Sequence, residues 1–191
     1  MAETVRAFLA VLLPRELREA AARVQEEMQG LCPAGAVRWV ASENFHLTLR
    51  FFGDLDRKAL GKARAVVESF QGTVPAMPAR LGEASAFPSP ARPQTLWVAV
   101  EEPSGALDRF AALVDGKIRE AGFGPADKPW KSHLTLGRAG RDRALRLPPG
   151  WTAGLTRVDV ESTINTIALM QSELRPQGPR YTPLCTASAS S

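Results

Sequence analysis

The sequence has no apolar run of the roughly 18 residues that a membrane-spanning helix requires. The short apolar run from Phe8 to Leu13 is preceded by Glu3 and followed by Pro14 and charged residues, with no convincing cleavage site. Such a run is typical of a strand and not of a signal peptide. We therefore expect a cytoplasmic protein that does not interact with a membrane.

Cysteine, histidine and tyrosine are scarce. The chain has two cysteines, two histidines and one tyrosine. Cys32 and Cys185 lie far apart without metal-ligand spacing, so neither a disulfide framework nor a metal site is indicated. We expect two reduced thiols, no metal and no cofactor.

The charge of the chain is nearly balanced, with 24 basic against 20 acidic residues and a formal net charge of +4 at pH 7. There is no long block of lysine and arginine. The mild basic excess favours an anionic partner but does not identify a nucleic-acid-binding protein by itself. The 191 residues are enough to bury a substantial apolar core, and we expect a monomer.

Apolar residues recur at helical spacing in three places. The pattern predicts helices after Pro14, Asp56 and Ser104, and the last two residues suit the N-cap position. The Pro-rich stretch from Phe87 to Pro93 is interpreted as a surface loop. Strands are predicted at residues 6–12, 37–40, 46–52, 95–100, 133–138, 157–161 and 166–171.

Helix, strand and the tetrapeptide His-Leu-Thr-Leu occur once in each half, the tetrapeptide at 46–49 and at 133–136. This repetition indicates a duplicated unit. Strands outnumber helices and follow one another closely, which favours antiparallel sheets over a doubly wound parallel sheet. We predict an α+β fold in which two antiparallel sheets line a central cleft, with helices on the outside. Residues 1–185 are predicted to form one bilobal domain and residues 186–191 a disordered tail.

The repeated tetrapeptide places specific side chains on one face. Because side chains alternate across a strand, His46 and Thr48 point to one side while the two leucines point to the other. His133 and Thr135 repeat this arrangement. Two such strands, related by a pseudo-twofold axis, would line a cleft with two imidazoles and two hydroxyls.

This set of groups suits the hydrolysis of a phosphodiester. A neutral histidine can take a proton from water while a protonated one gives a proton to the leaving oxygen, since the unperturbed pKa is about 6.5. The threonine hydroxyls can donate to the non-bridging phosphate oxygens. The near-symmetry leaves open which histidine is the acid. The alternative is a structural role, in which the repeated His-x-Thr only satisfies buried hydrogen bonds at equivalent places in a duplicated fold.

At these residues the sequence resembles the two-histidine phosphoesterase superfamily, in particular the bacterial and archaeal RNA 2′,3′-cyclic phosphodiesterases, which are also described as 2′-5′ RNA ligases. The resemblance covers about residues 5–185, and the segments 6–14, 37–40, 95–98 and 172–181 contribute to it. Its most specific segments are Asn44-Phe-His-Leu-Thr-Leu-Arg-Phe-Phe-Gly53 and Lys128-Pro-Trp-Lys-Ser-His-Leu-Thr-Leu-Gly-Arg138.

The resemblance implies a bilobal fold with the active site between the lobes and a reaction that needs no metal. It implies that RNA 2′,3′-cyclic phosphate ends are opened to 2′-phosphomonoesters, with small cyclic nucleotides as alternative substrates. His46 would be the proton donor, His133 the proton acceptor, and Thr48 and Thr135 the phosphate ligands.

Four further residues are candidates for contact with the substrate. Strand alternation places Arg50 on the face of His46, from which it could steer the RNA backbone. Alternation places Arg138 on the face opposite His133, so it reaches the phosphate only if the strand ends or twists there. Arg92 is a candidate for phosphate contact, and Tyr181 for base stacking.

Three alternative functions remain open for a chain with these histidines. One is a 2′-5′ RNA ligase or a phosphodiesterase acting on 2′-5′ linked oligonucleotides. The second is a non-catalytic RNA-binding module, although such a module has no need for both histidines. The third is a zinc protein that uses His46, His133, Cys32 and Cys185, although their spacing resembles no closed structural site.

Overall fold

The computed structural model describes residues 4–140, 144–156, 158–175 and 178–190. Nine strands and three α-helices lie within these residues. The strands are β1 (Val5–Leu12), β2 (Val37–Trp39), β3 (His46–Leu55), β4 (Met77–Ser89), β5 (Arg92–Glu101), β6 (His133–Ala139), β7 (Glu161–Ile164), β8 (Thr166–Glu173) and β9 (Arg180–Ser188). The helices are α1 (Arg15–Leu31), α2 (Arg57–Glu68) and α3 (Ala106–Glu120).

The strands form two antiparallel sheets. The first sheet has the strand order β3-β1-β8-β9, and the second has the order β2-β6-β5-β4-β7. The first His-x-Thr motif begins the edge strand β3, and the second begins β6, the second strand of its sheet. The predicted α+β class with two antiparallel sheets is confirmed.

Two helices cross from one sheet to the other. Helix α1 follows β1 of the first sheet but packs on β4, β6 and β7 of the second. Helix α3 follows β5 of the second sheet but contacts β3 of the first, whereas α2 packs on β1, β3, β8 and β9. Because the apolar faces of the helices cover the sheets, the buried side chains form one continuous core. Each motif strand is therefore backed by a helix that comes from the other half of the chain.

Helix α2 begins as predicted, since Asp56 accepts a hydrogen bond of 2.7 Å from the main-chain N–H of Ala59. Helix α3 begins differently. Gly105 is its N-cap residue, and the carboxylate of Glu102 accepts from the main-chain N–H groups of its first turn, at 3.3 Å from that of Leu107. The Ser104 hydroxyl also accepts from the main-chain N–H of Ala106, at 3.3 Å, so the predicted residue takes part in the capping although it is not the N-cap residue itself.

The Pro-rich stretch is a hairpin and not a free loop. Phe87 and Pro88 belong to the last residues of β4, which ends at Ser89, and Pro93 pairs with Pro88 near the start of β5. The prolines obscured the strand because proline supplies no ladder N–H, yet they lie near the hairpin end, where the register is irregular. The strand predicted at 157–161 is displaced: of residues 158–161 only Glu161 belongs to a strand, and Arg157 lies outside the described residues.

The prediction of a disordered tail is wrong for residues 186–190. Strand β9 pairs with β8 up to Ser188, and Ala187 is fully buried. Beyond the strand, the N–H of Ala189 donates to the carbonyl of Asn165 at 3.0 Å, and the Ser190 hydroxyl donates to the carbonyl of Gly72 at 2.8 Å. Small alanine and serine side chains look loose in sequence, but here they fit against a neighbouring strand.

Candidate active site

A cavity of about 160 Å³ lies between β3 and β6, which contact each other. Both histidines and both threonines of the repeated motif line it. The structure thus brings together residues that are 87 positions apart in the chain, from His46 to His133. The other lining residues are Phe8, Val40, Phe51, Arg138, Ser172 and Tyr181.

The His46 ring is held through one nitrogen. Its Nδ1 lies 2.7 Å from the main-chain oxygen of Asn44. A carbonyl oxygen only accepts, so Nδ1 carries the proton of the neutral ring and donates it. Nε2 is then the free base, 3.1 Å from the Thr48 hydroxyl, which can donate to it. Proton exchange at Nε2 leaves the anchoring bond of the ring intact.

The His133 ring is held in the same way. Its Nδ1 lies 2.8 Å from the main-chain oxygen of Lys131, again two residues earlier in the chain. The same argument assigns the proton to Nδ1 and leaves Nε2 as the nitrogen available for proton transfer. Both imidazoles therefore have equivalent tautomers and equivalent reactive atoms.

The environment lowers the pKa of both histidines. Burial is the main cause for His46, and the positive charges of Arg138 and His133 lower its pKa further, whereas the hydrogen bond to Asn44 acts in the opposite direction. Burial also lowers the pKa of His133, and Lys131 and Arg138 add to this effect, against the bond to the Lys131 carbonyl. Both rings are therefore mainly neutral at pH 7, and an anionic ligand would raise both pKa values.

A β-bulge follows the first motif. Thr48 and Arg50 pair with adjacent residues of β1, so Leu49 is an extra residue in β3. The bulge reverses the alternation of side chains, and Phe51, five residues after His46, lines the cavity.

The expectation that Arg50 shares the face of His46 is therefore wrong. Arg50 is only 9% exposed and turns away from the cavity between β3 and β6. It forms an ion pair of 2.9 Å with Asp115 on α3 and donates to the carbonyl of Gly124. These contacts are those of a structural arginine, because the guanidinium is occupied by protein groups.

An equivalent bulge follows the second motif. Thr135 and Gly137 pair with adjacent residues of β5, so Leu136 is the extra residue in β6. Arg138, five residues after His133, consequently lies on the side of the cavity, where uninterrupted alternation would have turned it away. Its guanidinium donates to the Thr95 hydroxyl at 3.1 Å. The strand irregularity on which its contact with the phosphate depends is present.

The two remaining candidates differ in position. Arg92 lies exposed at the β4–β5 hairpin and does not line the cavity. Tyr181 lines the cavity, and its ring meets that of His46 edge-on with centroids 5.4 Å apart. Burial raises the pKa of Tyr181, so its phenol is neutral. Of these two residues, only Tyr181 is placed to touch a ligand beside the histidines.

Aromatic rings flank both histidines. Phe8 packs on His46 with centroids 4.8 Å apart, and Phe87 meets His133 edge-on at 5.1 Å. Lys131 places its ammonium 4.3 Å from the centroid of the Trp97 ring, beside His133. No site role for these residues follows from the sequence pattern. A superposition of the two motifs would have paired Phe51 with Arg138, but no pattern indicates Lys131 or Phe8.

A larger cavity of about 860 Å³ shares Thr48, Phe51 and His133 with the first. Its far wall is the segment 125–131, which includes Trp130 and two lysines, while α3 contributes Asp108 and Asp115. Arg50, the ion-pair partner of Asp115, also lines this larger cavity. The groove thus extends from the histidines with apolar, aromatic and charged surfaces.

Metal ligands do not cluster among the residues that the structure describes, where no three side chains of histidine, cysteine, aspartate or glutamate could hold one ion. The four residues of the zinc alternative are all described and do not come together. In the same part of the chain, no helix is long and apolar enough to cross a membrane.

The fold and the paired motifs are those of the two-histidine phosphoesterase class. A crystal structure of a Thermus thermophilus protein aligns with a TM-score of 0.79 and 30% identity, covering 96% of this chain and 97% of that one. The structure of Escherichia coli LigT complexed with 3′-AMP has a TM-score of 0.73 at 24% identity and shares the fold, covering 99% of this chain and all of that one.

The sequence comparisons define the family. The model of the LigT-like phosphoesterases matches residues 11–97. An RNA 2′,3′-cyclic phosphodiesterase of Methanothermobacter thermautotrophicus is 34% identical, covering 93% of this chain and 95% of the relative. A protein of the same name from Escherichia coli is 27% identical, covering 96% of both chains. The chain belongs to the LigT-like phosphoesterase family.

Proposed function

We propose that this protein hydrolyses 2′,3′-cyclic phosphate ends of RNA to 2′-phosphomonoesters by acid–base catalysis with two histidines. The observation that carries the proposal is the pair of imidazoles on one cavity, each anchored through Nδ1 and each leaving Nε2 free. The names of the relatives supply the substrate class.

In this reaction a water molecule attacks the phosphorus of the ring while the bond to the 3′ oxygen breaks. His133 Nε2 takes the proton of the water, and His46 Nε2 protonates the departing 3′ oxygen. The geometry is almost symmetric, so the assignment of acid and base rests on the likeness of each motif to its counterpart in related enzymes. For the acid to be protonated at neutral pH, the bound phosphate must raise its pKa, as an anion beside an imidazole does.

The phosphate oxygens would be held by Thr48, Thr135 and Arg138, all of which line the cavity. The threonine hydroxyls donate to non-bridging oxygens, and the guanidinium supplies a full positive charge where negative charge gathers in the transition state. Thr48 would exchange its bond to His46 Nε2 for one to the phosphate. No metal is needed for these steps.

The cavity of 860 Å³ gives room for the nucleotide next to the cyclic phosphate, and Tyr181 lies where a base or ribose could contact it. Small cyclic nucleotides would use the same phosphate site without filling the groove. We propose further that the protein acts as a cytoplasmic monomer, in keeping with a site built from one chain. Sedimentation at assay concentration tests the monomer.

The test is turnover of an RNA oligonucleotide with a 2′,3′-cyclic phosphate end, with the position of the product phosphate read by chromatography against 2′- and 3′-phosphate standards. A 2′-phosphate is expected, and replacement of either histidine by alanine should lower the rate by about 10²–10⁴. The reduction in rate in the double variant should be much smaller than the product of the two single reductions, because the two histidines act as a unit.

A substrate with a more acidic leaving group distinguishes acid from base. It should restore activity to His46→Ala but not to His133→Ala, since such a leaving group needs less protonation. Rescue of His133→Ala instead would reverse the roles. Binding of RNA without turnover would support an RNA-binding module, and faster cleavage or joining of 2′-5′ linked oligonucleotides would replace the proposed substrate.

A further inference from the structure

Gln25 is the buried polar residue of α1, and it contacts the strand of the second motif. Its side chain is 8% exposed. The amide nitrogen lies 2.8 Å from the carbonyl oxygen of Val40 and 2.8 Å from that of Leu136. Both partners only accept hydrogen bonds, so the amide NH₂ must face them and both of its protons are used.

Leu136 is the extra residue of the bulge in β6. Its carbonyl oxygen accepts from the main-chain N–H of Val40 at 2.9 Å and from the Gln25 amide. The bulge is therefore held both by the residue that follows β2 and by helix α1. The same bulge returns Arg138 to the cavity side. A buried carbonyl without its second donor would favour rearrangement of the strand at this point.

The first motif has a counterpart to this arrangement. Arg50, the residue after the bulge in β3, is held by Asp115 on α3. Each bulge that follows a motif is thus tied to a helix that enters from the other half of the chain. Both bulges thus have a polar link to a helix, made at the bulge carbonyl in β6 and by the residue after the bulge in β3.

We infer that Gln25 is a positioning residue, which fixes the bulge at Leu136 and thereby directs Arg138 toward the scissile phosphate. This inference rests on the proposed function. Gln25 itself touches no substrate and acts through Arg138. It belongs to a helix that the catalytic motifs do not include, and it was not among the residues expected to matter.

The experiment is a double-mutant cycle in the hydrolysis of cyclic-ended RNA. Gln25→Met keeps the length of the side chain and removes both donors. We expect kcat/KM to fall about 10- to 100-fold, since a shift of about 1 Å in a positioned group can cost 10² in rate. In an Arg138→Ala background, the same substitution should cost less than about threefold, because the group it positions is already missing.

Inorganic phosphate provides a readout without turnover. Its inhibition constant should rise in Gln25→Met, whereas adding Gln25→Met to Arg138→Ala should raise it no further. If Gln25→Met does not fold, Gln25→Leu offers a shorter apolar side chain that also lacks both donors, and it enters the same cycle.

Val24→Ala is the matched control, because it weakens the packing of the same helix without touching either carbonyl. At equal loss of thermal stability it should leave kcat/KM within about twofold of the parent. Equal losses from Gln25→Met in the presence and absence of Arg138, or an equal loss in Val24→Ala, would overturn the positioning role. Absence of turnover in the parent protein would instead overturn the proposed function.

Discussion

Trp130 donates its indole N–H to the main-chain oxygen of Thr48 over 3.0 Å. Trp130 lies three residues before His133, and Thr48 directly precedes the bulge at Leu49. The bond therefore joins the segment that leads into the second motif to the strand of the first. It is a direct link between two halves that must hold one phosphate between them.

Trp130→Phe should lower kcat/KM about tenfold, because the two motifs lose a bond that sets their separation. The free energy of unfolding should fall by only about 0.5–1.5 kcal/mol, the usual net contribution of one hydrogen bond. Trp151→Phe is the matched control, since it also loses an indole bond to a carbonyl, that of Pro90, but outside the cavity. Equal losses of activity in the two variants would contradict the link.

Arg50→Met should destabilise the protein with little effect on RNA binding, because its guanidinium is held by Asp115 and Gly124 although the residue lines the larger cavity. The substitution leaves Asp115 and the carbonyl of Gly124 without their partner, and hydrogen bonds to charged groups contribute about 1.5–3 kcal/mol each. We expect urea unfolding at lower concentration, while KM and its dependence on salt stay near those of the parent. A large rise in KM, steeper at low salt, would return Arg50 to the role of steering RNA.

The sequence predicts the two sheets and the four motif residues because both signals are local. Alternation along a strand determines which residues share a face, and repetition marks the motifs. The positions of Arg50 and Arg138 could not be derived in this way. Each follows a bulge, and one extra residue reverses the face of every side chain after it.

Contacts between distant segments could not be predicted from the sequence either. The bond from Trp130 to Thr48 and the burial of Gln25 depend on how the two halves pack. Trp130 lies in a segment that carries the family resemblance, but nothing in the sequence indicates its partner, and Gln25 stands in no recognisable pattern. No strand was predicted at β4 or at β9. Prolines hid β4, and a proline with several small residues hid β9, because neither composition resembles that of a typical strand.

The dependence of rate on pH should be bell-shaped. The base works only when neutral, so activity rises through its pKa, and the acid works only when protonated, so activity falls through its own pKa. Burial and neighbouring cations lower both pKa values in the free protein, so the bell for kcat/KM should be centred below about 6.5. The bell for kcat should lie at higher pH, because the bound anion raises both pKa values.

Initial rates between about pH 4.5 and 9 at several substrate concentrations separate the two profiles. A single limb in both profiles, with chemistry shown to be rate-limiting, would contradict catalysis by two histidines. A kcat bell at lower pH than that of kcat/KM would show that the bound phosphate does not stabilise the charged imidazoles.

Lys131→Met should raise the pKa of His133, because it removes a positive charge that lowers it. With only two histidines in the chain, NMR titration of their ring protons measures both values directly. His133 should move upward more than His46, for which Lys131 is not among the causes of the shift. Lys128→Met, in the same segment, is the control and should leave both titrations in place.

Gly137→Ala tests the packing beside the second motif. A Cβ at this position would lie 2.6 Å from Val37 Cγ1 and 2.8 Å from Trp39 Cε3, both on β2. Such distances require the Val37 and Trp39 side chains or the strands that carry them to shift, and overpacking of this kind costs about 1–3 kcal/mol. Because β6 carries His133 and Thr135, kcat/KM should also fall, by about tenfold or more.

The control is Gly140→Ala, one residue beyond the end of β6, where the nearest atom to a new Cβ is the carbonyl oxygen of Ala36 at 3.9 Å. We expect its unfolding free energy to stay within about 0.5 kcal/mol of the parent, as is usual for a substitution that meets no close neighbour. Urea unfolding and cyclic-phosphate turnover on both variants make the comparison. Equal unfolding free energies and equal turnover in Gly137→Ala and Gly140→Ala would mean that β2 shifts without moving β6. The close approach of the two strands would then not set the position of the second motif.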